Sequence, residues 1–166
     1  MNEIERKLEL KDVSGYLPYE LRALNKCKNS QAFGTFVHAG LGSIDYYISR
    51  PDKFNIILRP ISDLYRPIIH NGKEIIPIVE LAHIGSYFNS EVNWQQEGLC
   101  AILGNWHFYY ESFIRGFVLE NNNTFRIVYN QYQLFDYLHE LKIDYRGLID
   151  AKLAVSVYDL DTNPYK

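Results

Sequence analysis

Apolar and polar positions alternate along much of this chain, and the alternation predicts strands more often than helices. Ile44, Tyr46 and Ile48 share one face of a predicted strand, and Phe54, Ile56 and Leu58 share one face of the next. Arg50-Pro51-Asp52-Lys53 supplies turn chemistry between them. Upstream, residues 3 to 12 alternate charge with Ile4, Leu8 and Leu10. Tyr16-Leu17-Pro18-Tyr19 then predicts a rigid apolar corner, in which Pro18 keeps Leu17 extended. Gly34, Gly40 and Gly42 break up the apolar run that follows. After Pro60, Ser62 to Tyr65 reads as a single helical turn capped by Ser62 and closed by Pro67. Asn71-Gly72, between Ile68-Ile69 and Ile75-Ile76, predicts a tight hairpin. Residues 84 to 104 mix Gly, Asn, Gln and scattered aromatics, and predict only a long loop or a short helix.

Downstream the pattern sharpens. Trp106, Phe108 and Tyr110 alternate, and Asn121-Asn122-Asn123 joins residues 115–120 to 124–129 as a hairpin. Pairing Glu120 with Thr124 sets Leu119 opposite Phe125 and Phe117 opposite Ile127, with Val118 and Arg126 on the other face. Asn130 is placed to cap a helix, with Gln133 completing a capping box. Leu134, Leu138 and Leu141 form the helical stripe, while Asp136, His139 and Glu140 point away from it. Asp144 is expected to cap a second, shorter helix through about Lys152, and Leu153, Val155 and Val157 to alternate as a last strand. The pattern predicts an α+β fold: a mainly antiparallel sheet with short helices and a C-terminal helix-turn-helix-strand segment. A single domain spanning 1–166 is expected.

Composition changes this picture in one respect. The chain has 166 residues, 47% hydrophobic and 22% charged, and is ordinary except for 14 Tyr, 9 Phe and 2 Trp. Tyrosine suits half-buried strands and contact surfaces alike. A net charge of −3 provides no long-range attraction to nucleic acid. Cys27 and Cys100 lack ligand-spaced companions; the two could bridge, but reduced, buried thiols are expected. The charged start Met1-Asn-Glu-Ile-Glu-Arg-Lys7 has no apolar signal core, and no run approaches the roughly 18 apolar residues of a membrane span. A cytoplasmic protein without membrane contact is expected.

Candidate chemistry is sparse. Glu80-x-x-His83 and Asp136-x-x-His139 have the spacing of di-iron ligands on a helix bundle, but four long helices are missing, and Pro77 with the β-like run Ile75–Val79 argues against a long helix for the first pair. Asp136 and His139 read as a solvated helix face. Asp159-x-Asp161-x-Asn163 imitates a calcium loop, with Pro164 where the turn needs glycine. Gly40-Leu-Gly42-Ser43 lacks the lysine of a phosphate loop and precedes a predicted strand rather than a helix. His107 and Glu111 share a strand face with Tyr109 between them, too far apart along a straight strand to bond. Arg50, Arg59, Arg66 and Arg126, interleaved with Tyr46, Tyr47 and Tyr65, are the candidates for holding single-stranded nucleic acid. No metal ligand, catalytic residue or cofactor is assigned. Tyr109 and Arg126 are the expected partner contacts, each on the side away from its strand's apolar face.

Four segments carry a resemblance: Lys11-Asp-Val-Ser-Gly-Tyr-Leu-Pro-Tyr-Glu-Leu21, Leu58-Arg-Pro-Ile-Ser-Asp-Leu64, His70-Asn-Gly-Lys-Glu74 and 134–166. Together they resemble uncharacterised accessory proteins of bacteriophages and prophages of Bacteroidota. Members often show Trp-His-Phe-Asp where this chain has Leu141-Lys-Ile-Asp144, and residues 84 to 130 lie outside the resemblance. The resemblance implies a small accessory protein in a bacterial cytoplasm. The expected function is non-catalytic binding of a host or phage macromolecule, as an inhibitor of a host defence complex. The alternatives are a metal-assisted hydrolase using His83 and His139, and a nucleic-acid binder. The partner is expected to be a protein, ahead of nucleic acid.

Overall fold

In chain order, α1 (Leu10–Val13) runs into a 3-10 turn (Ser14–Tyr19), then β1 (Arg22–Asn25), β2 (Phe36–His38) and α2 (Ile44–Ile48). β3 (Phe54–Pro60), a 3-10 turn (Ile61–Tyr65), β4 (Ile68–His70), β5 (Lys73–Ile75) and α3 (Pro77–Gly85) follow. Next come β6 (Val92–Gln95), β7 (Cys100–Leu103), β8 (Trp106–Glu111), β9 (Gly116–Asn121) and β10 (Thr124–Ile127). The chain continues through α4 (Gln131–Leu141), β11 (Ile143–Asp144), β12 (Ala154–Ser156) and a 3-10 turn (Val157–Asp159). This computed structural model describes residues 6–27, 35–86, 91–122 and 124–166. The expectations at Ile4, Gly34 and Asn123 lie outside the described residues. The fold is α+β with mostly antiparallel sheets. It divides into two compact units, the chain up to Ile61 with His139–Pro164, and Ser62–Leu138 with Tyr165–Lys166.

The first unit is organised by β3. Its run Ile56-Ile57-Leu58 is buried on both faces, as a central strand requires. It pairs antiparallel with β1, which carries β2 on its far side, and parallel with β11 and β12. The predicted strand at Ile44–Ile48 is instead helix α2. Ile44 is buried and Tyr47 and Ile48 pack on the core, whereas Tyr46 is 50% exposed. Burial at i, i+3 and i+4 is a helical period, which the apolar alternation at 44, 46 and 48 concealed.

The corner at Tyr16–Tyr19 is also helical. Pro18 sits inside the 3-10 turn, so Leu17 is not extended. Burial of Tyr16 and Leu17, with the Tyr16 hydroxyl donating to the Ile143 carbonyl at 2.9 Å, outweighs the bias that proline imposes on its predecessor. The expected helix from Asp144 to Lys152 is absent. The buried Asp144 carboxylate accepts from the N–H groups of Arg146 (3.2 Å) and Ile149 (2.7 Å), closing a series of turns with Gly147 at φ 71°. The last strand, β12, buries Ala154 and Ser156 and leaves Val155 half-buried, so its inward frame is one residue off the expectation.

The second unit holds the β4–β5 hairpin, with Asn71 and Gly72 at φ 51° and 73° as a two-residue turn demands. The 3-10 turn before it begins at Ile61 rather than being capped by Ser62, and is tied by Arg66 to the buried Asp63. Pro77 opens α3 at its first turn, where a missing N–H costs nothing, so Glu80 and His83 do lie on a helix. The segment 84–104, expected to be a loop or helix, contributes strands β6 and β7. They start a five-stranded antiparallel meander in the order β10-β9-β8-β7-β6. One face of this sheet is covered: Ala101, Leu103, Phe108 and Phe117 are buried there. Phe117 stacks on Phe108 (5.5 Å) and meets Phe135 of α4 (6.0 Å). A Cβ on Gly85 would lie 2.9 Å from the Phe108 ring, so glycine permits the close approach of α3.

The β9–β10 hairpin forms, but its register is one residue from the expectation. Asn121 pairs with Thr124, Glu120 with Phe125 and Val118 with Ile127. Asn122 takes φ 42°, which asparagine tolerates. A one-residue shift exchanges the faces of a strand. Phe125 and Ile127 therefore leave Phe117 and Leu119 and stand 49% and 58% exposed on the outer face. The chain then enters α4, whose Leu134, Leu138 and Leu141 are buried as the stripe predicts. Asn130 precedes α4 and its backbone carbonyl accepts the Gln133 and Leu134 N–H groups, but the expected capping box does not form. Its side-chain amide donates to Gln133 Oε1 (3.0 Å) and the Ile84 carbonyl (2.7 Å), and its Oδ1 caps no helical N–H.

Candidate functional site

The outer face of the β6–β10 sheet brings together side chains that no single strand could. Cross-strand pairing sets His107 beside Glu120 and Glu120 beside Phe125 in one row. The next row holds Tyr109, Val118 and Ile127. At the β8 end of these rows is an open concavity of about 450 Å³, lined by Tyr65, Cys100, His107, Tyr109, Tyr110 and Glu120 among others. Tyr65 arrives from the 3-10 turn before β4, and its hydroxyl accepts the Tyr110 N–H at 3.3 Å.

The Tyr109 hydroxyl donates to Glu120 Oε2 at 2.7 Å, a charge-assisted bond that fixes the carboxylate. Burial, reinforced by that bond and the Glu120 charge, pushes the Tyr109 pKa up to about 12. Burial pushes Tyr65 up to about 12 as well, and raises Cys100 from its ordinary value. At neutral pH the site thus offers two neutral phenols, a neutral thiol and an oriented acidic side chain. That is an equipped surface for hydrogen bonding and cation contact. A raised thiol pKa is the opposite of what an activated cysteine needs.

The expected contacts separate. Tyr109 lies on this outer face, half-buried in the concavity. Arg126 pairs with Leu119 and lies on the opposite face of the same sheet, its guanidinium 5.0 Å over the Trp106 ring. The expectation that Arg126 shares a face with Val118 is corrected by the hairpin register. The carboxylate beside His107 is Glu120 across the β8–β9 ladder, not Glu111 along the strand, and the pairing of those two strands is the signal that reveals it.

The remaining candidates are dispersed. His83 is exposed on α3. His139 belongs to the first unit and is not a solvated partner of Asp136. It packs edge-on against Tyr16 at 4.7 Å, with Nε2 2.9 Å from the Tyr145 hydroxyl. Among the described residues no group of three His, Cys, Asp or Glu could hold a metal ion. Of the candidate arginines, Arg50 lies over Tyr46 at 3.9 Å, Arg59 is buried and Arg66 pairs with Asp63. Asp159 is used inside the chain, accepting the Ser156 N–H at 3.3 Å. Gly40 and Ser43 lead into a helix after all, with Ser43 Oγ accepting the Gly40 N–H at 3.2 Å.

The first unit carries a separate groove of about 1130 Å³, floored by Tyr47, Ile48 and Phe54. Its charges are mixed, Lys26 and Lys152 with Glu9 and Asp45. Compared with known proteins, the chain matches no family model, no curated protein and no solved structure. Among the described residues no helix is long and apolar enough to cross a membrane.

Proposed function

We propose that this chain is a non-catalytic binding protein that occupies another protein through the outer face and edge of the β6–β10 sheet. The observation that carries the reading is strand β10. Among the described residues it pairs with β9 alone, all four of its residues are exposed, and it presents Phe125 and Ile127 to solvent. An apolar edge strand invites pairing with another chain unless it is covered. Phe113, Tyr129 and Tyr132, 93%, 92% and 75% exposed, add aromatic area in the turn before β9 and after β10. Aromatic side chains are the residues that interfaces use most. Tyr109 then contacts the partner on the outer face, and Arg126 flanks it from the other side of the edge strand. In the setting that the phage and prophage resemblance implies, the partner is a host or phage protein, and obstruction of a host defence complex is the role proposed.

The test is affinity capture from host lysate with the tagged chain and with a Phe125→Asp/Ile127→Asp variant, whose changes fall on exposed positions. A partner held in stoichiometric amount by the unaltered chain and lost by the variant supports the reading. Failure to recover such a partner across several host conditions, or equal recovery by the variant, removes it.

A further inference from the structure

The concavity beside β8 has a charge and a wall chemistry that select one class of group. Tyr65, Tyr109 and Tyr110 contribute to its lining, and among the described residues no lysine or arginine does. Glu120 is its acid, and Glu111, on the same strand face as Tyr109, bears electrostatically on both the Tyr65 and Tyr109 hydroxyls. Among the described residues, His107 is the one other titratable side chain in the lining besides the tyrosines and Cys100. The Tyr109 hydroxyl fixes Oε2 of Glu120, and among the described residues Oε1 takes no hydrogen bond. The Tyr65 hydroxyl accepts from Tyr110 and keeps its own proton to donate.

An oriented carboxylate with His107 beside it but no lysine or arginine in the lining, among tyrosine side chains, attracts a cation and repels an anion. A purely apolar group would offer Glu120 Oε1 no donor. A concavity of about 450 Å³ is of side-chain size rather than of macromolecular size. The net charge of −3 favours approach of a basic surface. We propose that this concavity receives a lysine or arginine side chain of the partner protein, bound by the Glu120 carboxylate and the ring faces of Tyr65 and Tyr109. The assignment rests on the interface reading above and names the chemistry at its centre.

The test uses the full chain and three probes followed by NMR: Nα-acetyl-arginine N-methylamide, the lysine equivalent, and the neutral isostere Nα-acetyl-citrulline N-methylamide. The arginine or lysine probe is expected to bind saturably in the millimolar range, with shifts at Cys100, Tyr109 and Glu120. Citrulline, matching arginine in shape without its charge, is expected to bind at least about tenfold more weakly. Glu120→Gln keeps an acceptor for the Tyr109 hydroxyl and removes only the charge, so it is expected to abolish the preference for the cationic probes. Equal binding of citrulline, shifts mapping elsewhere, or no saturable shift with either cation overturns the assignment. Should the cations fail while partner capture still depends on Phe125 and Ile127, the interface reading survives without this pocket chemistry.

Discussion

Gln131 closes the sheet where β9 and β10 part, and its replacement gives a sharp test of the hairpin register. Its Oε1 accepts the Phe117 N–H at 2.9 Å, while Nε2 donates to the carbonyls of Phe117 (2.6 Å) and Val128 (2.9 Å). Gln131→Ala removes all three bonds. The Phe117 carbonyl keeps the Val128 N–H at 3.2 Å, but the buried Phe117 N–H is left without this partner. An orphaned buried donor costs about 1–3 kcal/mol, and the lost carbonyl bonds add about 1 kcal/mol, so the expected destabilisation is roughly 2–4 kcal/mol. Gln131→Glu is the discriminating companion. As the first residue of α4, a glutamate there gains about 0.3–1 kcal/mol from the helix dipole, yet it aims a carboxylate oxygen at two carbonyls. It is expected to be no more stable than the alanine variant at pH 7. It should recover as the pH falls and the carboxyl, its pKa raised by those carbonyls, regains a proton to donate. Urea denaturation gives the free energies, and hydrogen exchange at the Phe117 amide locates the effect. An alanine variant within about 0.5 kcal/mol of the parent, or a glutamate variant more stable than it at pH 7, refutes the reasoning.

Three further outcomes are expected. Tyr65, raised to about 12 from 10.0, stays protonated when the unfolded chain has lost its proton, so its contribution is complete below pH 10 and lost between pH 10 and 12. That loss is about 2–3 kcal/mol, and Tyr65→Phe should flatten the decline in denaturant midpoint across this range; an unchanged slope contradicts it. Val118→Ala, at a fully buried position, should cost about 2 kcal/mol, whereas Ile127→Ser should stay within about 0.5 kcal/mol. The reverse order in urea melts would restore the alternative hairpin register. Gly15→Ala places a methyl group in the His139 ring, which Tyr16 and Tyr145 hold, and should cost about 1–3 kcal/mol. A double-mutant cycle with His139→Ala should return much of that cost, and strict additivity would contradict the contact.

What the amino-acid order revealed depended on how local the deciding physics was. Asn71-Gly72 dictates its own turn, and the leucines of α4 repeat with a helical period, so both were readable. α2 is concealed because five residues carry too little period to separate alternation from an i, i+3, i+4 pattern. The Asp144 loop kept the capping chemistry while tertiary burial replaced the helix with turns. β6 and β7 are hard to read because Val92-Asn-Trp-Gln95 and Cys100-Ala-Ile-Leu103 are short and joined by Gln96-Glu-Gly-Leu99, which carries no strong hairpin-turn dipeptide. The candidate site lay deeper still. The β9–β10 register decides which face Phe125 and Ile127 occupy, the β8–β9 register decides which acid stands beside His107, and neither is legible in the order of residues alone. Tyr65 joins the site from a segment distant in the chain, through a hydrogen bond that only the fold supplies.

The most direct measurement is amide hydrogen exchange of the chain alone and in complex with the partner it captures. Slowed exchange concentrated in β8, β9 and β10, with the largest change at residues 124–127, is the predicted result. Protection confined to the first unit, or to α3 and the covered face of the sheet, with β10 unaltered, would contradict the claim that this outer face and edge carry the protein's function.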